Sequence, residues 1–189
     1  VYYNYKIARA ALMPPLLYKI RGYNMQFTKL NLQDETMLMA LLPFYQAYEA
    51  EISNEVLEDI FPPNEVDENF RYFKDYFGRG YITYICTIDD EFRGFICFHK
   101  VGKNASGYAD GYDGWGHMAE IYVDKQSREL GLGKIMVKKA EEELEKLGTK
   151  NIYLTDIADN NAFWISLGYI NTGKIEPKEG GKIYEKHMQ

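Results

Sequence analysis

The spacing of apolar positions along the 189-residue chain changes period repeatedly, and each change predicts an element. Residues 27–31 read as a short strand. From 34 to about 52, Met37, Leu41, Tyr45 and Tyr48 recur at helical spacing behind the start Gln33-Asp34-Glu35, and Pro43 predicts a kink. A second helical piece, 53–60, ends at Pro62-Pro63. A third, 65–77, puts Phe70, Phe73 and Phe77 on one face, which reads as core. Residues 81–88 and 93–100 alternate around Asp89-Asp90-Glu91, predicting a hairpin. A glycine-rich loop at 101–116 leads to a central strand at 117–123. The segment 133–147 is strongly amphipathic. Met136, Ala140, Leu144 and Leu147 share one face, and Lys138/Glu142, Lys139/Glu143 and Glu142/Lys146 form a solvated charged face. Gly148 reads as its C-cap. A strand at 151–155, a helix at 160–167 and strands at 169–175 and 182–186 complete an α/β order with a mixed sheet.

Composition narrows the setting. The length suits one domain able to bury a sizeable core. A net charge of −6 disfavours nucleic acid or an anionic membrane as partner, and no apolar run approaches a membrane span. Cys86 and Cys97 lack metal or redox spacing and read as reduced core cysteines of a cytoplasmic protein. Residues 1–24 hold Lys6, Arg9, Lys19 and Arg21 and no acid. They read as an extra arm, a peripheral helix or a tail, or as sequence upstream of a natural start at Met25, with the main domain at 25–189.

The chemistry gathers at Arg128-Glu129-Leu130-Gly131-Leu132-Gly133-Lys134, between the central strand and the amphipathic helix. Glycines there let the backbone approach a ligand, and the first N–H groups of a helix lack intrahelical partners. Such a turn suits a phosphate or diphosphate. A P-loop is excluded, because position 128 is Arg and Ile135 is neither Ser nor Thr. A dinucleotide fingerprint is excluded by Met136 where the third glycine belongs.

What remains, Arg-x-x-Gly-x-Gly after a strand, resembles motif A of the GNAT superfamily of acyl-CoA-dependent N-acyltransferases. Two further stretches carry the resemblance. Ile121-Tyr122-Val123-Asp124 lies just upstream, and Asn160-Asn161-Ala162-Phe163-Trp164-Ile165-Ser166-Leu167-Gly168-Tyr169 is similar to motif B. The resemblance spans about 25–188. It implies a GNAT fold: a central mixed, mostly antiparallel, twisted sheet flanked by helices, with a splay between the fourth and fifth strands, 117–123 and 151–155. It implies acetyl-CoA as co-substrate, held without a metal. Backbone groups of Ile121, Tyr122 and Val123 would bond its pantetheine arm, and an N–H of Ile121 or Tyr122 would face the thioester carbonyl. N–H groups from Glu129 to Lys134 would take the diphosphate. Asn160 would reach the CoA arm, beside Phe163 and Trp164.

Acyl transfer from a thioester to an amine needs a free amine and a stabilised oxyanion. Glu120, His117 or a water chain would act as base. Many relatives carry Tyr where this chain has Trp164, and an indole cannot deliver a proton near neutral pH. Trp164 reads instead as a wall of the CoA pocket. Tyr169 or Tyr122 would then protonate the thiolate, or the thiolate would leave unaided. Tyr45 and the loop residues Tyr112, Asp113 and Trp115 would line the acceptor pocket, where carboxylates and aromatic faces suit a cation. The acceptor would be a small-molecule amine or a protein amine, with a weak preference for a small cation. Homodimerisation is common in the family. The rival reading is a non-catalytic acyl-CoA-binding or regulatory module on the same fold.

Overall fold

A computed structural model describes residues 16–20, 23–53, 66–102, 111–178 and 180–188. All but the first residue of the expected helix at 53–60, and residues 103–110 of the 101–116 loop, lie outside the described residues. The strands are β1 (Leu16–Ile20), β2 (Tyr23–Lys29), β3 (Ile82–Ile88), β4 (Glu91–Lys100), β5 (Gly116–Val123), β6 (Asn151–Asp156), β7 (Ile170–Ile175) and β8 (Lys182–His187). The helices are α1 (Glu35–Ser53), α2 (Val66–Phe77), α3 (Leu132–Lys146) and α4 (Asn161–Ser166). The strand order is β1-β2-β3-β4-β5-β6-β8-β7. The β5–β6 pair is parallel, whereas β1–β2, β2–β3, β6–β8 and β7–β8 are antiparallel. The mixed α/β architecture therefore matches the expected class. Residues 16–20 depart from expectation. They pair with β2, Leu16 opposite Phe27 and Ile20 opposite Tyr23, rather than forming a helix or tail. The first expected strand accordingly becomes the second, and the fourth and fifth become β5 and β6.

The chain divides into two compact units, Val1–Phe95 with Tyr122–Leu130, and Ile96–Ile121 with Gly131–Gln189. In the first, Asp34 caps α1, its Oδ1 accepting the Met37 N–H at 3.0 Å. The helix continues through the position of Pro43, which faces solvent. Its inner face buries Leu38, Leu41, Leu42, Tyr45 and Tyr48. Tyr45 packs on Phe73 and Phe77 of α2 with ring centroids 5.2 and 5.4 Å apart, and Tyr48 meets Phe95 and Tyr122 at 5.0 and 5.1 Å. The β3–β4 hairpin turns on Asp89 and Asp90, both at positive φ (49° and 66°), the two-residue geometry whose twist matches its strands. Cys86 is buried and unbridged, and burial pushes its thiol up to about 12.

In the second unit α3 buries Met136, Val137, Ala140 and Leu144. Its end is a Schellman motif. Gly148, at φ 74°, donates to Glu145 O at 2.8 Å, and Thr149 N donates to Leu144 O at 3.2 Å. Its polar side is less solvated than the sequence implied. Lys139 is itself buried, held by Glu143 at 2.7 Å, and Lys146 also turns to Glu143 rather than to Glu142. Gly116 opens β5 where α3 crosses it. A Cβ there would stand 2.7 Å from Leu144 Cδ1 and 3.3 Å from Ile152 Cγ1. Gly116→Ala is therefore expected to destabilise the protein by about 1–3 kcal/mol through overpacking, read as a lower urea midpoint at unchanged slope.

Candidate active site

β5 and β6 run parallel through three register pairs, Gly116↔Ile152, His117↔Tyr153 and Met118↔Leu154, and their pairing stops there. Both strands continue, β5 to Val123 and β6 to Asp156. Ala119, Glu120 and Ile121 thus face a gap on one side, as do Thr155 and Asp156. This is the splay expected between these strands.

β5 leads into the turn 125–131, which is closely fastened. Arg93 Nη1 donates to Asp124 Oδ2 at 3.0 Å. Asp124 Oδ1 in turn accepts the Ser127 N–H at 2.6 Å. Arg128 donates from Nε to Val123 O at 3.0 Å and from Nη2 to Glu51 Oε1 at 2.6 Å. Glu129 then takes φ 71° and Gly131 φ 84°, both left-handed. For a residue with a side chain that conformation costs roughly 1–2 kcal/mol. Between Glu129 and Gly131 the Leu130 N–H turns back to Ser127 O at 3.4 Å, and left-handed residues beside a helix start are a feature of anion-binding nests. Gly131 is also the N-cap of α3. It brings no capping side chain, and the first turn of the helix holds no acid. No carboxylate of the helix's own first turn offsets the positive end of its dipole. Leu132 anchors the turn in the core, while Gly133 is partly and Lys134 fully open to solvent.

The two candidate bases differ in setting. His117 is enclosed, its ring stacked on Tyr153 at 4.5 Å and 15° and lying 5.2 Å from the His99 ring. Burial, reinforced by His99, pushes it down to about 3. It is a stacking residue of the sheet face, and its expected role as a base gives way to that. Glu120 is half-buried, two residues beyond the last β5–β6 pair. Tyr122 is nearly enclosed, and its hydroxyl donates to Glu51 Oε2 at 3.0 Å. Burial and Glu51 push it up to about 12.

Motif B begins at α4. Asp156 organises its entry, accepting from Asn160 N at 2.6 Å and from Ala158 N at 3.2 Å. The Asn160 amide also turns to Asp156, at 3.4 Å. Trp164 is buried edge-on against Phe163 and Tyr169, at 4.8 and 5.4 Å. Its Nε1 has no hydrogen-bond partner among the described residues. Tyr169 is enclosed too, and burial with Glu141 beside it drives its phenol well above the ordinary range.

Tyr45 and Tyr112, expected to line the acceptor pocket, are both buried. Tyr45 has no exposed surface and bonds Glu49, so it is a core residue and is withdrawn from the pocket. Tyr112 is also core. It stacks on Tyr153 at 4.1 Å and donates to Glu185 Oε1 at 2.6 Å. Trp115 packs against the same cluster, edge-on to Tyr112 at 5.1 Å, and Asp113 is exposed. The sequence reading also missed Glu51. Its partner Arg128 lies 77 positions along the chain, and no local pattern links the two.

The fold recurs in solved structures. An acetyltransferase of the GNAT family from Listeria monocytogenes is 18% identical, with a TM-score of 0.59 over 92% of this chain and 100% of that one. A GNAT acetyltransferase from Desulfovibrio desulfuricans gives 17%, 0.56, 86% and 98%, and the PaiA N-acetyltransferase of Thermoplasma acidophilum, solved with coenzyme A, 14%, 0.59, 86% and 98%. No curated protein matches the chain. These likenesses define a GNAT fold. The acetyltransferase (GNAT) family profile matches residues 50–169, and the chain belongs to that family as a GNAT-type N-acetyltransferase.

Proposed function

We propose that the protein transfers acetyl from acetyl-CoA to a primary amine by direct attack within a ternary complex. The observation that carries this is the end of β5–β6 pairing at Met118↔Leu154, next to a turn with left-handed residues at 129 and 131. The pantetheine arm would lie along Ile121, Tyr122 and Val123, and the diphosphate against N–H groups from Glu129 to Lys134. Asn160 and Phe163 would flank the arm. The amine nitrogen attacks the thioester carbon, and a β5 N–H holds the oxyanion. Glu120 takes the amine proton, directly or through water, the C–S bond breaks, and the CoA thiolate leaves. A thiol pKa of about 8.5 makes that departure feasible unaided. This suits a chain whose motif-B indole cannot donate and whose Tyr169 is so weak an acid. The buried, strongly raised Cys86 thiol argues against an acyl-enzyme route. The acceptor is a small cationic amine in the favoured version, with Asp113 exposed toward solvent as one candidate contact.

The test is thermal melting with acetyl-CoA and with CoA, using ATP as a control. At 100 times its dissociation constant a ligand stabilises by about 2.7 kcal/mol, which raises the midpoint by several degrees. A shift with both CoA compounds and none with ATP, followed by thiol release with an amine panel, supports the proposal. No shift in folded protein removes it. Binding without turnover against any amine favours the acyl-CoA-binding module, the reading that Trp164 supports.

A further inference from the structure

Glu51 sits within the last turn of α1, far in sequence from every motif described above. Its side chain is only 22% exposed, and each oxygen is engaged. Oε1 accepts Arg128 Nη2 at 2.6 Å and faces Lys125 Nζ at 3.9 Å, and Oε2 accepts the Tyr122 hydroxyl at 3.0 Å. Arg128 closes the ring from its other arm. Its Nε donates to Val123 O at 3.0 Å, and its guanidinium carbon lies 5.9 Å from the Tyr122 ring centroid. One carboxylate thus joins the end of α1, the end of β5 and Arg128, the residue just before left-handed Glu129. Burial works against its charge, but the bonds from Arg128 and Tyr122 prevail and hold the carboxyl below the ordinary range. It is therefore ionised throughout the neutral range.

We propose that Glu51 is a positioning residue for donor binding, locking Arg128 so that the turn 125–131 is set for a nucleoside diphosphate before the ligand arrives. This rests on the acetyl-CoA reading above. Two physical effects of Glu51 oppose each other. Its negative charge weakens the field that Arg128 and Lys125 offer an anion. Its two bonds to Arg128 and Tyr122 remove conformational freedom from long side chains and from the backbone that follows. A left-handed Glu129 directly after Arg128 is a strained state that persists only where the surroundings fix it. Fixing Arg128 at both ends is the means available on this turn.

The sign of the mutational effect separates the two. Removing the charge alone makes the site more cationic and tightens CoA binding, whereas removing the clamp loosens it. CoA affinity is measured by calorimetry for the wild type, Glu51→Ala, Glu51→Gln, Arg128→Met and the Glu51→Ala/Arg128→Met double variant, with ligand-free melting curves for each. The expected result is an increase of about tenfold in the dissociation constant for Glu51→Ala. Glu51→Gln, which keeps an acceptor for Arg128, restores most of the affinity. The double variant binds no worse than the weaker single one, because the two side chains act as a unit. Unchanged or tighter binding by Glu51→Ala overturns the proposal, as do additive losses. If Glu51→Ala does not fold, Glu51→Asp, which keeps the charge but shortens the clamp, is measured instead, and binding equal to or tighter than the wild type overturns the proposal. Wild-type protein that fails to bind CoA sinks the donor-site reading itself.

Discussion

Glu120→Gln is expected to lower the turnover number by about 100- to 10,000-fold while leaving CoA affinity within a factor of two or so, the range seen when a general base is removed. The substitution keeps the shape of the side chain and removes its capacity to accept a proton. Glu120 stands two residues past the last β5–β6 pair, where the proposed acceptor amine would meet the thioester. The loss should shrink as pH rises, because an amine that is already neutral needs no base. Measuring thiol release from pH 6.5 to 9.5 for the wild type and the variant tests this. Parallel profiles with equal rates would exclude Glu120 and leave a water chain as the route for the proton. Coupled loss of CoA binding would instead mark Glu120 as structural.

Acidification should destabilise the fold well before ordinary carboxylates protonate. His117 has a folded value near 3 against roughly 6.5 in the unfolded chain. Between those values the unfolded chain binds a proton that the folded one refuses. The stabilisation is therefore complete above pH 6.5 and drains away as pH falls toward the folded value, by up to about 1.4 kcal/mol per pH unit. His99, also depressed by burial, adds in the same direction. The groups around the pair are Tyr153 and, beyond it, Tyr112 with Glu185. Urea unfolding at pH 7.5 and 5.0 should differ by roughly 2 kcal/mol from His117 alone. His117→Phe keeps an aromatic partner for Tyr153 and should flatten the slope. An equal slope in that variant would refute the assignment.

The shape of the turn after β5 was partly legible in the sequence and the tertiary setting of the aromatic residues was not, for physical reasons. A turn that needs positive φ at Gly131 shows itself through glycine, because few other residues adopt that conformation cheaply. The same turn needs positive φ at Glu129, and there the sequence is silent. The amphipathic period of α3 located Met136, Ala140 and Leu144 of its core face, but Leu147, expected on that face, is exposed, and the burial of Lys139 depends on where Glu143 lies and leaves no periodic trace. Tyr45 and Tyr112 were read as ligand contacts because aromatic residues serve both packing and recognition. Only tertiary neighbours tell the two uses apart, here Phe73 and Phe77 for one and Tyr153 for the other. β1 was missed because a five-residue run beside a proline pair carries too little alternation to reveal a strand. Glu51 was invisible for the same reason that it matters: its partners arrive from distant parts of the chain.

Where β5 and β6 part, the sheet acquires an edge in its interior. Strand edges elsewhere invite any extended chain to add itself, and proteins usually blunt them with charge, proline or a covering element. Here the blunting agent would be the pantetheine arm, whose two amide groups can offer hydrogen-bond partners along a strand edge, although they stand one carbon further apart than those of a peptide. On this view the cofactor serves as a missing strand as well as a reagent. The ligand-free protein is therefore expected to self-associate more readily than the CoA-bound one, which light scattering with and without CoA would read.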